Sequence, residues 1–322
     1  MVKQKRTFRG DSLTNRPSDL VLVSRHIDVD PLQSLQSNPL WNTKGPVVMH
    51  FINAFQSLFP EGERLFIDAV RDCTQKNPSV VTDDAVFQDD LGHFIEQEGR
   101  HSVVHDKWTK ALAVVGYQQM DTYTMLLHRF RTWARTHLDK MTRLSITIGA
   151  EQYTASMTKL FACDQPDLVF ASAPLFQKIF LYHTMEELEH KSVCYDLYLK
   201  YHGGYLRRML GMGFITYYIW TNVLRRHRYL LRRDGLWDRR HRHEYWMFYF
   251  GSNGILRALM PRLLEYARPS FHPWQSDERA LFEETFGSRR KELQIPGFQY
   301  QQASGERTAV PSSQTPALTV SH

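Results

Sequence analysis

Apolar side chains recur three and four positions apart in long segments of this chain, at roughly 46–76, 83–115, 119–134, 136–163, 170–201, 205–233 and 242–266. That spacing gathers them on one stripe of a 3.6-residue helix and predicts an all-α protein. No stretch alternates convincingly with period two, so no strand is expected. The interruptions have physical causes. Pro60 suits the first turn of a helix that starts near Phe59, because its missing N–H would have no helical partner there. Asp83 and Asp84 can cap the helix that follows and complement its positive end. Gly116, Asn77-Pro78, Gln165-Pro166-Asp167 and Gly203-Gly204 mark the other breaks. Residues 1–40 and most of 281–322 are polar, with scattered prolines or with Ser, Thr, Gln and Pro, and are expected to be disordered tails around a helical domain at 41–280.

Composition narrows the class only a little: 322 residues, 42% apolar and 23% charged, are ordinary for a globular protein with a large core. Cys73, Cys163 and Cys194 are widely spaced, odd in number and without a Cys-x-x-Cys pair, which does not look like a disulfide framework or a zinc ribbon and points to a reducing cytoplasm. No apolar run follows the basic start Met1-Val2-Lys3-Gln4-Lys5-Arg6, so no secretory signal is expected.

The net charge of +6 is local. Residues 205–243 hold ten arginines against two aspartates, which leaves the rest slightly acidic. Within that region Met209–Leu224 is a run of sixteen uncharged residues that includes Phe214, Tyr217, Tyr218 and Trp220. A bilayer span needs about 20 such residues, so this one is short. A helix on an anionic membrane surface at the inner face, the wall of an apolar substrate tunnel, a core helix and a homodimer contact all fit it. Nucleic acid is not expected as a partner, because no recognised reading module accompanies the arginines.

Two Glu-x-x-His motifs carry the candidate chemistry: Glu98 with His101, and Glu187 with His190. A spacing of three puts both side chains of a pair on one helix face, a turn apart. A further glutamate precedes each motif at hairpin distance, Glu63 by 35 residues and Glu151 by 36. One glutamate from each of two helices and Glu-x-x-His from each of two others is the set with which a ferritin-like four-helix bundle surrounds two metal ions. Carboxylates can bridge two cations while each imidazole gives a neutral nitrogen, a mixture that suits iron, with manganese or zinc as alternatives. His183 lies four residues before Glu187 and seven before His190, on the same face. His105, one turn beyond His101, is a neighbour of this stripe with an open role. Glu186 and Glu189 point elsewhere on their helix, to solvent or to hydrogen bonds with the histidines. Singly, Glu63 reads as a first-turn glutamate favouring the helix dipole. Glu151 follows the uncharged run Leu144–Ala150, where an unpaired carboxylate would be costly.

The segments Phe59–Phe66, Phe94–Glu98 with His101 and His105, Glu151–Ala155, His183–Lys191 and Arg268–Trp274 resemble a bacterial family catalogued as predicted metal-dependent hydrolases, over about residues 45–280. Gln152 departs from it, standing where histidine is expected, and reads as variation beside the ligands. The donor set is also similar to that of di-iron arylamine N-oxygenases, which add one histidine in the spacing His-x-x-x-Glu-x-x-His. That resemblance implies Glu98 and Glu187 as bridges, Glu63 and Glu151 as outer carboxylates, and His101, His183 and His190 as nitrogen ligands. The expected function is a di-iron oxygenase using O2 and an external electron donor on an organic, apolar substrate, with Tyr153, His105 and Gln152 near the centre. A hydrolase using metal-activated water and a non-enzymatic iron-binding protein are the alternatives.

Overall fold

The computed structural model describes residues 15–76, 81 and 83–301, which form an all-α bundle with additional C-terminal helices. In chain order the helices are α1 (Pro31–Ser37), α2 (Pro46–Gln56), α3 (Phe59–Lys76), α4 (Ala85–Val114), α5 (Gln119–His137) and α6 (Lys140–Lys159). Then come α7 (Asp167–Phe170), α8 (Pro174–His190), α9 (Val193–Lys200), α10 (Tyr205–Arg233), α11 (Arg239–Phe250), α12 (Ile255–Tyr266) and α13 (Arg279–Glu292).

Local chemistry sets most of these boundaries. The Asp84 side chain accepts from Phe87 N at 3.0 Å and caps α4, and Asp139 caps α6 by accepting from Met141 and Thr142 N. Pro46 and Pro174 occupy the first turns of α2 and α8. Gly116 ends α4 with φ +124°, a value that a side chain would strain. Asn77-Pro78 lies outside the described residues.

Four helices close a ring, because α3 packs on α4, α4 on α8, α8 on α6 and α6 back on α3. Within that ring α8 is buried on every side from Leu181 to His190, unlike a surface helix with one apolar stripe. A second layer covers the ring: α10 lies along α6 and α2, and α5 along α3 and α4. The α6–α10 crossing is close, since a Cβ on Gly211 would sit 2.5 Å from the Ser145 carbonyl oxygen.

The structure corrects the expected organisation in three places. Segments 46–76, 170–201 and 242–266 are each two helices, broken at Ser57-Leu58, at Lys191-Ser192 and across Gly251–Gly254. Apolar periodicity runs through such breaks because both halves still face one core. A short strand β1 (Leu20–Val21) pairs antiparallel with β2 (Gln299–Tyr300), too short for any alternation to announce it. Lastly, residues 15–40 and 279–301 are not loose ends. Arg16 is ion-paired to Asp90, Leu20, Leu22, Ile27 and Val29 are buried, and α13 packs on α8. The outer parts of both expected tails, 1–14 and 302–322, lie outside the described residues. Cys73 and Cys194 are buried and free. No helix among the described residues is long and apolar enough to cross a membrane.

Candidate metal centre

The ring of α3, α4, α6 and α8 points charged side chains into its own core. Glu63 comes from α3, Glu98 and His101 from α4, Glu151 from α6, and His183, Glu187 and His190 from α8, and all are buried. Close donor groups form around Glu63, Glu98 and His101, around His101, His183 and Glu187, and around Glu98, Glu187 and His190, each with its atoms within 4.8 Å of one another. His190 Nε2 is 3.0 Å from Glu98 and 3.6 Å from Glu187, and His183 Nε2 is 3.1 Å from Glu187. Glu151 belongs to none of these tight groups. It approaches the cluster through His190 Nε2, at 3.8 Å.

The cluster is starved of hydrogen-bond donors. Both oxygens of Glu63, Glu98 and Glu151, one oxygen of Glu187, both ring nitrogens of His101 and the Nε2 atoms of His183 and His190 are buried and make no hydrogen bond. Isolated carboxylates in such a place are costly, and cations would offset the cost. Four glutamates carry a charge that two divalent ions would neutralise, so the donors fit such a pair in number, charge and kind.

Electrostatics tell the same story. Burial, then the charges of Glu98, Glu187 and Glu151, pushes Glu63 well above the usual carboxylate range. Burial and the charges of Glu187 and Glu98 do the same to Glu151. Burial would raise Glu187 too, but the His190 and His183 imidazoles outweigh it and hold that carboxyl well below its ordinary value. Burial and the charge of His183 depress His101.

A ring of supporting contacts orients the imidazoles. His190 Nδ1 donates to Gln97 Oε1 at 2.9 Å in the tautomer that leaves Nε2 facing the carboxylates. His183 Nδ1 meets His105 Nε2 at 3.1 Å, and His105 Nδ1 meets Gln56 Oε1 at 3.3 Å. The proton placement that satisfies both contacts frees His183 Nε2 for the centre. His105 is therefore a support of His183, although it also comes within ligand distance of Glu63 and His183. His101 Nε2 lies 2.9 Å from Glu186 Oε2, but neither of its ring nitrogens makes a hydrogen bond. Outer partners such as Gln97 and His105 fix ring orientation and tautomer in metal sites.

Glu186 and Glu189 are fully buried, so their solvated-face reading is replaced by a structural one. The Arg25 backbone N–H donates to Glu186 at 2.6 Å, and its guanidinium holds Glu189 at 2.5 and 2.9 Å. Gln97 bridges Glu189, at 3.1 Å, to His190. Burial raises Glu186 to about 7 against the pull of Arg25. Arg25, Gln97 and Gln56 were not among the sequence candidates. A lone arginine in a polar stretch carries no local sign of a contact 164 residues away. Gln152, read as a neighbour of the ligands, instead donates to Ser156 and lines a separate surface pocket with Lys159 and Lys191. The Arg268–Trp274 segment braces α9 rather than the centre: His272 meets Asp196 at 2.9 Å and Trp274 donates to Ser192 at 3.0 Å.

A family model described as a predicted metal-dependent hydrolase matches residues 23–277. No curated protein and no solved structure matches the chain.

Proposed function

The chain belongs to the family of predicted metal-dependent hydrolases, and from that premise we propose that it is an enzyme whose buried cluster holds two divalent ions and hydrolyses an apolar substrate. The observation that carries this reading is the set of partnerless donor atoms on Glu63, Glu98, Glu151, Glu187, His183 and His190. When bound, such ions supply Lewis acidity and make water acidic enough to act as a nucleophile near neutral pH. The rest is the chain's own work. Glu98 and Glu187, both close to His190 Nε2, with Glu187 also 3.1 Å from His183 Nε2, would hold the ions together with those imidazoles. Gln97 and His105 hold the His190 and His183 rings. Phe59 lies parallel to the His183 ring at 5.1 Å and Phe94 meets the His190 ring edge-on at 5.0 Å, so water is excluded and charge interactions strengthen.

A second reading is favoured by the donor set itself. Four carboxylates with histidines from Glu-x-x-His pairs, in a four-helix core, are the constellation of di-iron and di-manganese carboxylate proteins. With iron as the resident metal the same cluster would serve dioxygen chemistry, fed by an external reductant. The two readings separate by measurement. The protein is loaded with zinc, manganese or ferrous iron in turn and assayed for cleavage of medium-chain p-nitrophenyl esters and for O2 consumption. Metal-dependent cleavage that disappears in Glu98→Ala supports the hydrolase. O2 uptake with ferrous iron and no cleavage under any metal supports the oxygenase, and neither activity with two metals bound would overturn both.

A further inference from the structure

A cavity of about 70 Å³ lies between α3, α5, α6 and α10 and reaches the cluster at Glu63. On its buried side lies Glu63, with Ala150 and Thr154 from the turns flanking Glu151. Its flanks are Leu127, Ile146, Ile215 and Ile219, and on the half-exposed side stand Phe130, Arg131 and Tyr218. The Arg131 guanidinium is already paired with Glu61 and Asp68, so it offers no free charge to the cavity. The outer end continues onto an aromatic surface. Phe130 contacts Tyr218 at 4.6 Å, Phe214 at 5.8 Å and Trp133 at 6.1 Å, and Trp133 and Phe214 are 46% and 38% exposed.

We propose that the substrate of this centre carries an unbranched apolar chain, which enters between α5 and α10 past Phe130 and Tyr218 and brings its reacting end to Glu63. Size decides for a slender chain over a ring. The cavity is less than half the ~150 Å³ that accepts a benzene molecule, room for a few methylenes of a chain whose remainder lies along the aromatic surface outside, and its walls cannot easily retreat. Ile215 and Ile146 are carried on α10 and α6, which are locked together where a Cβ on Gly149 would come 2.9 Å from Ile215 Cγ2. Composition decides for an apolar occupant: apart from Glu63, Thr154 and the paired Glu61 and Arg131, carbon dominates the walls. A polar substrate would lose its hydration there without new partners. The inference rests on the reading of the cluster as a centre that transforms a substrate.

The test measures binding separately from metal content. Linear primary alcohols from hexanol to decanol, and cyclooctylmethanol as a bulky comparison, are titrated calorimetrically into the full-length protein with and without two equivalents of metal. Affinity is expected to rise with chain length, by up to fourfold for each methylene that becomes fully buried, the factor that corresponds to ~0.8 kcal/mol, and nonanol to bind at least tenfold tighter than its cyclic counterpart. Ile219→Trp fills the cavity away from the donor cluster and is expected to weaken nonanol binding at least tenfold while metal content stays at the wild-type level. No chain-length dependence, or equal binding of the cyclic alcohol, overturns the inference even if Ile219→Trp does not fold. Chain binding without metal uptake would sink the metal reading alone. Metal uptake without chain preference would sink this inference alone.

Discussion

Removing the charge of Arg25 gives a stability loss whose size and pH dependence follow from the structure. The side chain is 1% exposed and grips Glu189 through two nitrogens at 2.5 and 2.9 Å. Arg25→Met keeps much of the stem but leaves Glu189 buried, with Gln97 and the Val23 N–H as its remaining donors. If Glu189 stays ionised, breaking a buried pair from one side costs about 3–5 kcal/mol. If it takes up a proton instead, neutralising at pH 7 a carboxyl whose unfolded pKa is about 4.3 costs about 3.5 kcal/mol. Both routes therefore predict a loss of about 3–4 kcal/mol, measured by urea unfolding of the metal-free protein so that metal binding does not shift the midpoint. The pH dependence has a definite sign. In the variant the folded pKa of Glu189 lies above its unfolded value, so the folded state binds the extra proton and its stability rises as pH falls. Burial already raises Glu189 in the wild type despite Arg25, and loss of the guanidinium raises it further, so the gap to wild type should narrow as pH falls from 7 until both forms carry the proton. Arg25→Met/Glu189→Gln should show neither the full loss nor the narrowing. A single variant within 1 kcal/mol of wild type at pH 7, or a gap indifferent to pH, would refute the reasoning.

Three further outcomes are expected. Lys191 and Lys159 hold Glu278 at about 2; this depressed value contributes stability above the unfolded pKa near 4.5 that is lost as pH falls toward 2, so Glu278→Gln should cost about 2 kcal/mol at pH 7 and progressively less in acid, followed by thermal melts across pH. Gly211→Ala should destabilise by about 1–3 kcal/mol in denaturant titrations, because its Cβ would meet the Ser145 carbonyl oxygen at 2.5 Å. By contrast Gly213→Ala, on the open side of α10 with nothing within 4 Å, should be neutral or stabilising by up to ~1 kcal/mol. Glu63→Gln removes a carboxyl strained by burial and by three neighbouring glutamates, so the metal-free variant should melt several degrees above metal-free wild type and yet take up less metal, read by calorimetry and elemental analysis.

The helices and the convergence of the cluster were legible because both are written in local spacing. Intervals of three, four and seven placed His183, Glu187 and His190 on one face of α8, and two hairpin-length intervals paired Glu63 with Glu98 and Glu151 with Glu187. The breaks at Ser57-Leu58 and Lys191-Ser192 left no mark on the apolar stripe, since both halves of each segment serve the same core. Residues 15–40 read as a tail because their order comes from distant partners: Arg16 from Asp90, Arg25 from Glu186 and Glu189, Leu20 from Tyr300. The run Leu20–Val23 was the only apolar signal there, too short to outweigh its polar surroundings. Gln97 stood beside Glu98 unremarked, because only the packing of α4 against α8 shows that it reaches His190. The preference for dioxygen chemistry came from the donor types, and the family match supports the hydrolytic alternative instead.

The central claim is that donors from four helices share two metal ions, and elemental analysis of the purified protein tests it most directly. Wild type should retain, or take up after chelation and reconstitution, two divalent ions per chain, while Glu187→Ala and His190→Ala keep their helical content and hold fewer than one. A wild-type chain that binds no metal under any loading condition, or variants that bind as much as wild type, would contradict the account.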